Sequence, residues 1–595
     1  MKRNRQDYFS NVPTPTLPRS VQDFGVHTRT QTMRHGRLTP FYCRFVYPGS
    51  TLKMDMQAFI RMDTSAKVPL QNIYLDNYYF FVPLRIIDKN FAKIIGDKTY
   101  YDNNTYSFPQ VQLDLQSMDK DSLLNYLGYA GATSAIIQSG YNAYWVDNNV
   151  TGSYNANPDV VSGVSNWEKI NPYSLCAYYK VYNEFFRDNN LDSEIPIDDL
   201  LVQGSVTSLI GLTGYTTLWN YFKCLPVNKY HDFFTSGLIT PVKGPDVTIP
   251  LGNSLVPLTA DPNSNYSLGN SLRFGSTQTL TDSNDHSFIL SSPYSGASNF
   301  NAKVAATGYS AGTTYQINKT NLLVDFSKAV GPSVQQLYTS LALYSLYDKR
   351  GTFGSRLIEQ IRGQFGLSVP DGLLDRPEYL GGSCESLNNI PVLDQSTSAL
   401  ASMRGNSATL TGANSFDKSF NEWGFVIGVS VTRIKHSYQQ GIVEPSLKMF
   451  DELDMYWPSF ANIGKVGIKN YRIFNNHKGY QGVFKDEQIF NYNDPWLDQH
   501  TELDSVAGEF GCFRTPYNTD IDHLWLYQDI YSNFPVFSSS WLKEPEENIT
   551  RTLTGQLLPG AATTGHQYMI QYSYRTKLTM AIPVHPHAPN ITGRL

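Results

Sequence analysis

The sequence predicts a mainly β protein, a sandwich or barrel with long loop insertions and a few helices. Three observations carry that expectation. Aromatic residues make up 13% of the 595-residue chain, with 40 Tyr and 32 Phe, and such side chains suit a pleated, half-buried surface. Three strand-like runs separated by turn signals fall between residues 38 and 82, without any βα alternation. The last strand-like run lies close to residue 582, so one β-domain brackets the helices and insertions between its ends.

The first run, Leu38–Val46, alternates with Phe41, Cys43 and Phe45 on one side, and Pro48-Gly49 marks a turn. Leu52–Met62 follows with Leu52, Met54 and Met56 on one face. Ile73–Val82 is apolar throughout and stops at Pro83, which suits a strand buried on both faces. Residues 98–170 are rich in Asn, Tyr and Gly and read as surface loops with a short helix near Leu123–Tyr126. Pro172–Leu191 has apolar residues at 175, 178, 179, 182, 185 and 186, which is helical spacing.

About half of residues 252–320 are Ser, Thr, Asn or Gly, and six are charged. A structureless loop of that length is foreign to a compact domain unless it has a function, so the segment reads as an exposed insertion with strands of its own. Val334, Leu337, Leu341 and Tyr344, then Leu357, Ile358 and Ile361, predict two amphipathic helices interrupted at Gly351. Gly424–Ser437 alternates as a strand. Tyr568–Ile582 places Ile570, Tyr572, Tyr574, Thr576, Leu578, Met580 and Ile582 on one face, long enough to cross a whole sandwich.

The net charge of −5 is unevenly placed. Residues 1–40 carry Lys2, Arg3, Arg5, Arg19, Arg29, Arg34 and Arg37 against Asp7 and Asp23, and the rest of the chain is acidic. Residues 1–37, with Pro13, Pro15 and Pro18 among them, read as an extended, partly mobile basic arm. Its cations can displace counterions from phosphates, and Tyr8 and Phe24 can stack on unpaired bases, so these seven residues are candidate nucleic-acid contacts.

Other motifs carry less chemistry. Gly308–Gly312 fits G-x-S-x-G, but it sits in a Ser/Gly-rich polar stretch rather than at a strand-to-helix turn. His585-Pro586-His587 and the acids Asp451, Glu452 and Asp454 lack the companions of a metal site and read as solvated surface. The five cysteines, Cys43, Cys176, Cys224, Cys384 and Cys512, are scattered and read as reduced, mostly buried thiols. No phosphate loop, zinc motif or dinucleotide fingerprint is present, no apolar run reaches membrane-spanning length, and Asn318, Asn548 and Asn590 head sequons without a secretory leader. The expectation is a non-enzymatic protein without metal or cofactor.

Six blocks in order carry a family resemblance: Pro69–Pro83, Tyr182–Leu191, His231–Gly244, Arg376–Ser383, Gly424–Gly441 and Asp454–Ala461. Together they resemble the major capsid proteins of the Microviridae, the gokushovirus-like branch above all. The resemblance implies an eight-stranded antiparallel jelly roll and a T=1 icosahedral shell of identical copies. It also implies assembly in the bacterial host cytoplasm around circular single-stranded DNA, with a pilot or DNA-binding protein as virion partner. The chain then divides into an interior-facing arm (1–37), a first part of the barrel (38–251), a surface insertion forming threefold protrusions (252–320), and helices, remaining strands and tail (321–595). By the same analogy Tyr266, Phe274, Tyr294 and Tyr309 are candidates for contact with a host surface receptor. The chain departs from the family pattern at the longer 98–170 segment and at its C-terminal HPHAPNITGRL. A host-binding spike protein with a β-sandwich is the alternative, and a carbohydrate-active enzyme lacks the pairing of carboxylates it would need.

Overall fold

A computed structural model describes residues 19–97, 106–112, 122–129, 169–201, 206–208, 223–245, 247, 333–388, 390–393, 403–475, 488–511, 524–531, 533–553 and 567–582, with six short strands between 258 and 324. The fold is mainly β, with antiparallel principal sheets and few helices. Nine strands build them: β1 (Ser20–Met33), β2 (Thr39–Val46), β3 (Ser50–Met62), β4 (Ile73–Pro83), β5 (Glu378–Leu387), β6 (Ala408–Leu410), β7 (Asn414–Phe420), β8 (Gly424–Ile434) and β9 (Tyr568–Met580).

One sheet runs β1-β9-β3, with β6 and β7 both pairing along the far edge of β3. The other runs β5-β4-β8-β2. β9 therefore lies between β1 and β3, pairing Tyr572 with Arg29 on one side and Ala58 on the other. The Pro48-Gly49 turn carries the chain from one sheet to the other. Gly49 takes φ +77°, a left-handed conformation that glycine adopts without a Cβ penalty, and donates its N–H to the Phe420 carbonyl at 2.6 Å.

The main core lies between the sheets. Leu52, Met54, Met56, Ala58, Ile60 and Met62 of β3 meet Ile73, Leu75, Tyr79 and Phe81 of β4 and the buried face of β9. The face expected for β9 is buried from Ile570 to Met580, while Ile582 lies beyond the strand and is exposed. β4 is buried on both faces, because Phe80 and Val82 enter a second core. That core packs against helix α1 (Tyr173–Val181), whose Leu175, Tyr178 and Tyr179 are the residues the helical spacing selected. Asn171 accepts the Tyr173 N–H at 2.9 Å at the helix start. The chain continues as a π-turn, Tyr182–Phe186.

Three local readings change. Phe41, Cys43 and Phe45 do not share a face: a β-bulge pairs Gly428 with Tyr42 and Val429 with Pro40, leaving Phe41 as the extra residue. Phe41 thereby enters the inter-sheet core, while Cys43 and Phe45 pack against the second core. β8 is not half-exposed, since as a central strand it buries Val426 and Ile434 on one side and Ile427, Val429 and Val431 on the other. The helix break falls at Gly354 rather than Gly351. Helix α2 (Val334–Phe353) runs through Gly351 and stops where Gly354 takes φ +97°, and α3 (Leu357–Phe365) follows. Among the described residues no side chain of either helix is fully buried, while Ile358 and Ile361 are half-buried.

The supposed arm also contains structure. Ser20–Met33 is an edge strand, so any free arm ends before Ser20. The polar spacing of VQDFGVHTRTQTM hid it, because only Met33 is fully buried. Of the four described cysteines, Cys176 and Cys224 are buried and Cys43 is half-buried, while Cys384 is exposed and departs from the expectation of a buried thiol.

The chain divides into two compact units, Met1–Pro241 with Arg350–Leu595, and Val242–Lys349. The second unit is wider than the 252–320 insertion. It contains three antiparallel strand pairs: Leu258–Ala260 with Leu322–Val324, Phe274–Ser276 with Ile317–Thr320, and Phe288–Ser291 with Asn301–Val304.

Gly441 closes the Gly424–Gly441 block at a backbone crossing. A Cβ there would lie 2.0 Å from the Arg472 carbonyl oxygen, and backbone cannot yield as a side chain can. Gly441→Ala is expected to destabilise the unit by about 2–3 kcal/mol, read as a fall in Tm.

Candidate nucleic-acid interface and the buried polar staples

The described candidate cations, Arg19, Arg29, Arg34 and Arg37, are not gathered into one patch. Lys2, Arg3 and Arg5 lie outside the described residues. Arg19 is exposed just before β1, with its guanidinium over Gly49. Arg29 turns inward and donates to the Tyr126 carbonyl. Arg34 and Arg37 meet at Glu546, at 3.9 and 3.8 Å. Arg19 and Arg34 stand at opposite ends of a 14-residue strand, roughly 45 Å apart at about 3.3 Å per residue.

A second group of cations lies on the outward face of the five-stranded sheet, interleaved with acids: Asp55 stands opposite Arg575 and Asp417 opposite Lys53. Lys53 and Arg61 of β3 and Arg575 and Lys577 of β9 all point to solvent there, and Lys577 sits directly opposite Lys53. Asp23 answers two of them, accepting from Arg575 at 2.9 Å with Lys577 at 3.6 Å. The Arg575 hydrogen bond, helped by the Gly25 N–H, pulls Asp23 down to about 2. Phe59 and Met569 are exposed on the same face. These four cations were legible as the polar phase of the β3 and β9 alternation, but only strand pairing places them side by side.

Of the candidate receptor contacts, Tyr266, Tyr294 and Tyr309 lie outside the described residues, and Phe274 opens one of the short strands of the second unit. The G-x-S-x-G stretch, Cys512 and the two C-terminal histidines also lie outside them. Asp454 is exposed and accepts the N–H groups of Phe450 and Asp451 at 2.9 and 3.0 Å, the work of a local turn. Among the described residues no group of three or more His, Cys, Asp or Glu side chains could hold a metal ion.

Polar chemistry concentrates instead in a buried chain that the sequence reading missed. His35 Nε2 lies 2.9 Å from Glu544 Oε1, and His436 Nε2 lies 3.0 Å from Glu544 Oε2. His436 Nδ1 is 3.2 Å from Asp529, whose other oxygen pairs with Lys229 Nζ at 2.5 Å. All five side chains are at most 6% exposed. Burial opposes the charge of His436, but Asp529 and Glu544 overcome it and raise the imidazole to about 9. Burial likewise opposes ionised Glu544, which His436 and His35 nevertheless hold down to about 2. Asp529 is held well below the usual range by Lys229 and His436, against its own desolvation.

This arrangement contains histidines and carboxylates but no nucleophile, and its polar atoms face one another. It joins the β1–β2 connection, the segment of Lys229, the residues after β8 and two C-terminal segments. A second staple lies beside it: Arg433 Nε donates to Asp76 at 2.9 Å, Tyr230 donates to the same carboxylate at 2.8 Å, and Arg433 stacks over the Tyr230 ring at 4.0 Å. Asp232 accepts from the N–H groups of Phe234 and Thr235 and from the Tyr438 hydroxyl. Asp76, Asp232, Arg433, His436 and Tyr438 come from three of the six blocks noted in the sequence. Those blocks therefore encode the joints of the fold.

Residues 10–166 and 150–588 match the family described as capsid protein (F protein). The chain belongs to that family. Capsid protein VP1 of Spiroplasma virus 4 is 28% identical over 593 residues, covering 97% of this chain and 96% of that protein. Capsid protein VP1 of Bdellovibrio phage phiMH2K is 26% identical over 558 residues (93% and 92%), and capsid protein VP1 of Chlamydia phage 1 is 27% identical over 579 (90% and 91%). The resemblance to Microviridae capsid proteins thus extends along nearly the whole chain, and a capsid protein is a structural component of the virion. No helix among the described residues is long and apolar enough to cross a membrane.

Proposed function

We propose that this capsid protein self-assembles into a T=1 icosahedral shell enclosing circular single-stranded DNA in the bacterial host cytoplasm. The observation that carries the reading is the near full-length family match, joined to the strand order. If β6 and β7 are counted as one interrupted strand, the sheets become β1-β9-β3-β6/β7 and β5-β4-β8-β2, four strands each. That order supports an eight-stranded jelly roll, in which strands from the two ends of the chain pair and long connections remain free to build contacts.

The arm cations Lys2, Arg3 and Arg5 and the open sheet face with Lys53, Arg61, Arg575 and Lys577 form the proposed DNA-facing surface. A pilot or DNA-binding protein is the proposed companion inside the virion. The Val242–Lys349 unit, which contains Tyr266, Phe274, Tyr294 and Tyr309, is the proposed site of host attachment.

Negative-stain microscopy of the purified protein or particles, with the absorbance ratio at 260 and 280 nm, tests the proposal. Uniform closed shells with a nucleic-acid absorbance ratio are expected, whereas a stable monomer or trimer under assembly conditions would overturn it in favour of a spike protein. Replacing Lys53, Arg61, Arg575 and Lys577 together by Gln should flatten the salt dependence of single-stranded DNA binding. At about 0.7 per phosphate contact, the slope of log affinity against log salt should fall by roughly 3, and an unchanged slope excludes this face.

A further inference from the structure

The segment that follows β8 presents a patch its own fold leaves uncovered. Between residues 447 and 466, ten large apolar side chains are exposed, including Phe450 at 79%, Leu447 at 69% and Leu453 at 65%. Every residue from 449 to 460 is exposed. Loops of that exposure are ordinarily polar, since apolar surface in water is unfavourable at about 25 cal/mol per Å².

The segment is nevertheless held in shape. It folds as three short 3-10 turns, Pro445–Lys448, Glu452–Asp454 and Pro458–Phe460. Asp454 accepts the N–H groups of Phe450 and Asp451 at the start of the second turn, and the Trp457 indole donates to the Glu452 carbonyl at 2.7 Å. Tyr456 meets Trp496 edge to face, with ring centroids 5.4 Å apart, and Lys465 is anchored to Asp494 at 2.5 Å. Polar atoms are satisfied internally while the apolar side chains point outward. Such a surface is pre-organised, so little ordering entropy remains to be lost when it docks.

Its size identifies the class of occupant. The four aromatic side chains expose roughly 400 Å², given about 150–250 Å² for each when fully exposed, and the six aliphatic and methionine side chains add a comparable area. The total, roughly 800 Å², exceeds the patch typical of a monomer. It equals what one partner contributes to a standard stable interface. A small ligand would require concavity, whereas this surface is built of outward turns.

We infer that Leu447–Val466 is an inter-subunit contact that docks on a second copy of this chain. The inference rests on the reading of the protein as a self-assembling capsid subunit. The acids Asp451, Glu452 and Asp454 cluster within the patch and would repel their own copies across a twofold axis, so the contact is heterologous, patch against a different surface.

Phe450→Asp and Leu453→Asp test it, because both residues are exposed and neither substitution should alter the melting temperature of the unassembled chain. The expected result is loss of closed particles at the concentration where the unmodified chain assembles, while Leu453→Met still assembles. Assembly of both aspartate variants like the unmodified chain would overturn the inference and leave the capsid reading standing. Failure of the unmodified chain to assemble would sink that reading and the inference with it. A photo-crosslinking residue at position 450 adds a readout independent of folding: particles should yield covalent dimers on illumination, and monomers alone would overturn the contact.

Discussion

Glu544→Gln is expected to cost the fold about 3–5 kcal/mol, enough to leave most of the chain insoluble at growth temperature. The carboxylate receives His35 on one oxygen and His436 on the other, and the Ile434 N–H also points to it at 3.3 Å. A glutamine has the same shape but presents an NH2 group to one histidine and removes the negative charge that keeps His436 protonated. Chemical denaturation of the unassembled chain measures the loss as a lower midpoint at an unchanged slope.

The same chain predicts a pH profile. His436 stands at about 9 in the folded protein and at 6.5 when unfolded, so its protonation stabilises the fold. That contribution is complete below pH 6.5 and disappears as pH rises through 9; at 1.36 kcal/mol per unit it is of the order of 3 kcal/mol. Glu544 acts at the other end: folded at about 2 and unfolded at 4.5, it stabilises above pH 4.5 and loses its contribution as pH falls towards 2. Tm should therefore be highest between about pH 4.5 and 6.5. His436→Gln should remove the alkaline decline attributable to this residue, and an identical decline in the variant would refute the assignment.

Tyr572→Ala should cost a similar 3–5 kcal/mol by a different mechanism. Tyr572 is fully buried in the middle of β9, stacked on Phe41 with ring centroids 4.4 Å apart, and its hydroxyl lies 2.5 Å from the Ser430 hydroxyl. Removing the ring opens a cavity between the two sheets that Phe41, held by its bulge and by Tyr79 at 5.4 Å, cannot collapse to fill. Tyr572→Phe keeps the packing and loses only the hydroxyl contact, about 1 kcal/mol. Equal losses in the two variants would place the energy in the hydrogen bond instead of the ring.

The expectations that held came from residues whose pattern repeats over a full element. β3, β4, β9 and helix α1 each bury the side chains that periodicity selects, because a central strand or a packed helix presents its apolar phase along its whole length. Of the nine principal strands, those that went unread are β1, β5, β6 and β7, and all of them lie at sheet edges. Edge strands are half-exposed and carry Thr, Gln, Ser and charge, which blunts the hydrophobic signal and also discourages unwanted pairing. The bulge at Phe41 was invisible for another reason: one extra residue reverses the facing of everything beyond it, and only the partner strand reveals that it is there.

The candidate interface divides in the same way. Charge counting found Arg29, Arg34 and Arg37, but folding commits these to Tyr126 and Glu546. The solvent-facing Lys53, Arg61, Arg575 and Lys577 become neighbours only when two strands some 500 residues apart in sequence pair in register. The amino-acid sequence alone determined the β class, the central strands, the packed helix and the capsid family, since each depends on local periodicity or on ordered blocks of residues. Tertiary structure alone decided how His35, Lys229, His436, Asp529 and Glu544 converge into one buried chain. No local pattern requires that meeting; it follows from the desolvation of charges that two packed sheets and their connections bring within hydrogen-bonding distance.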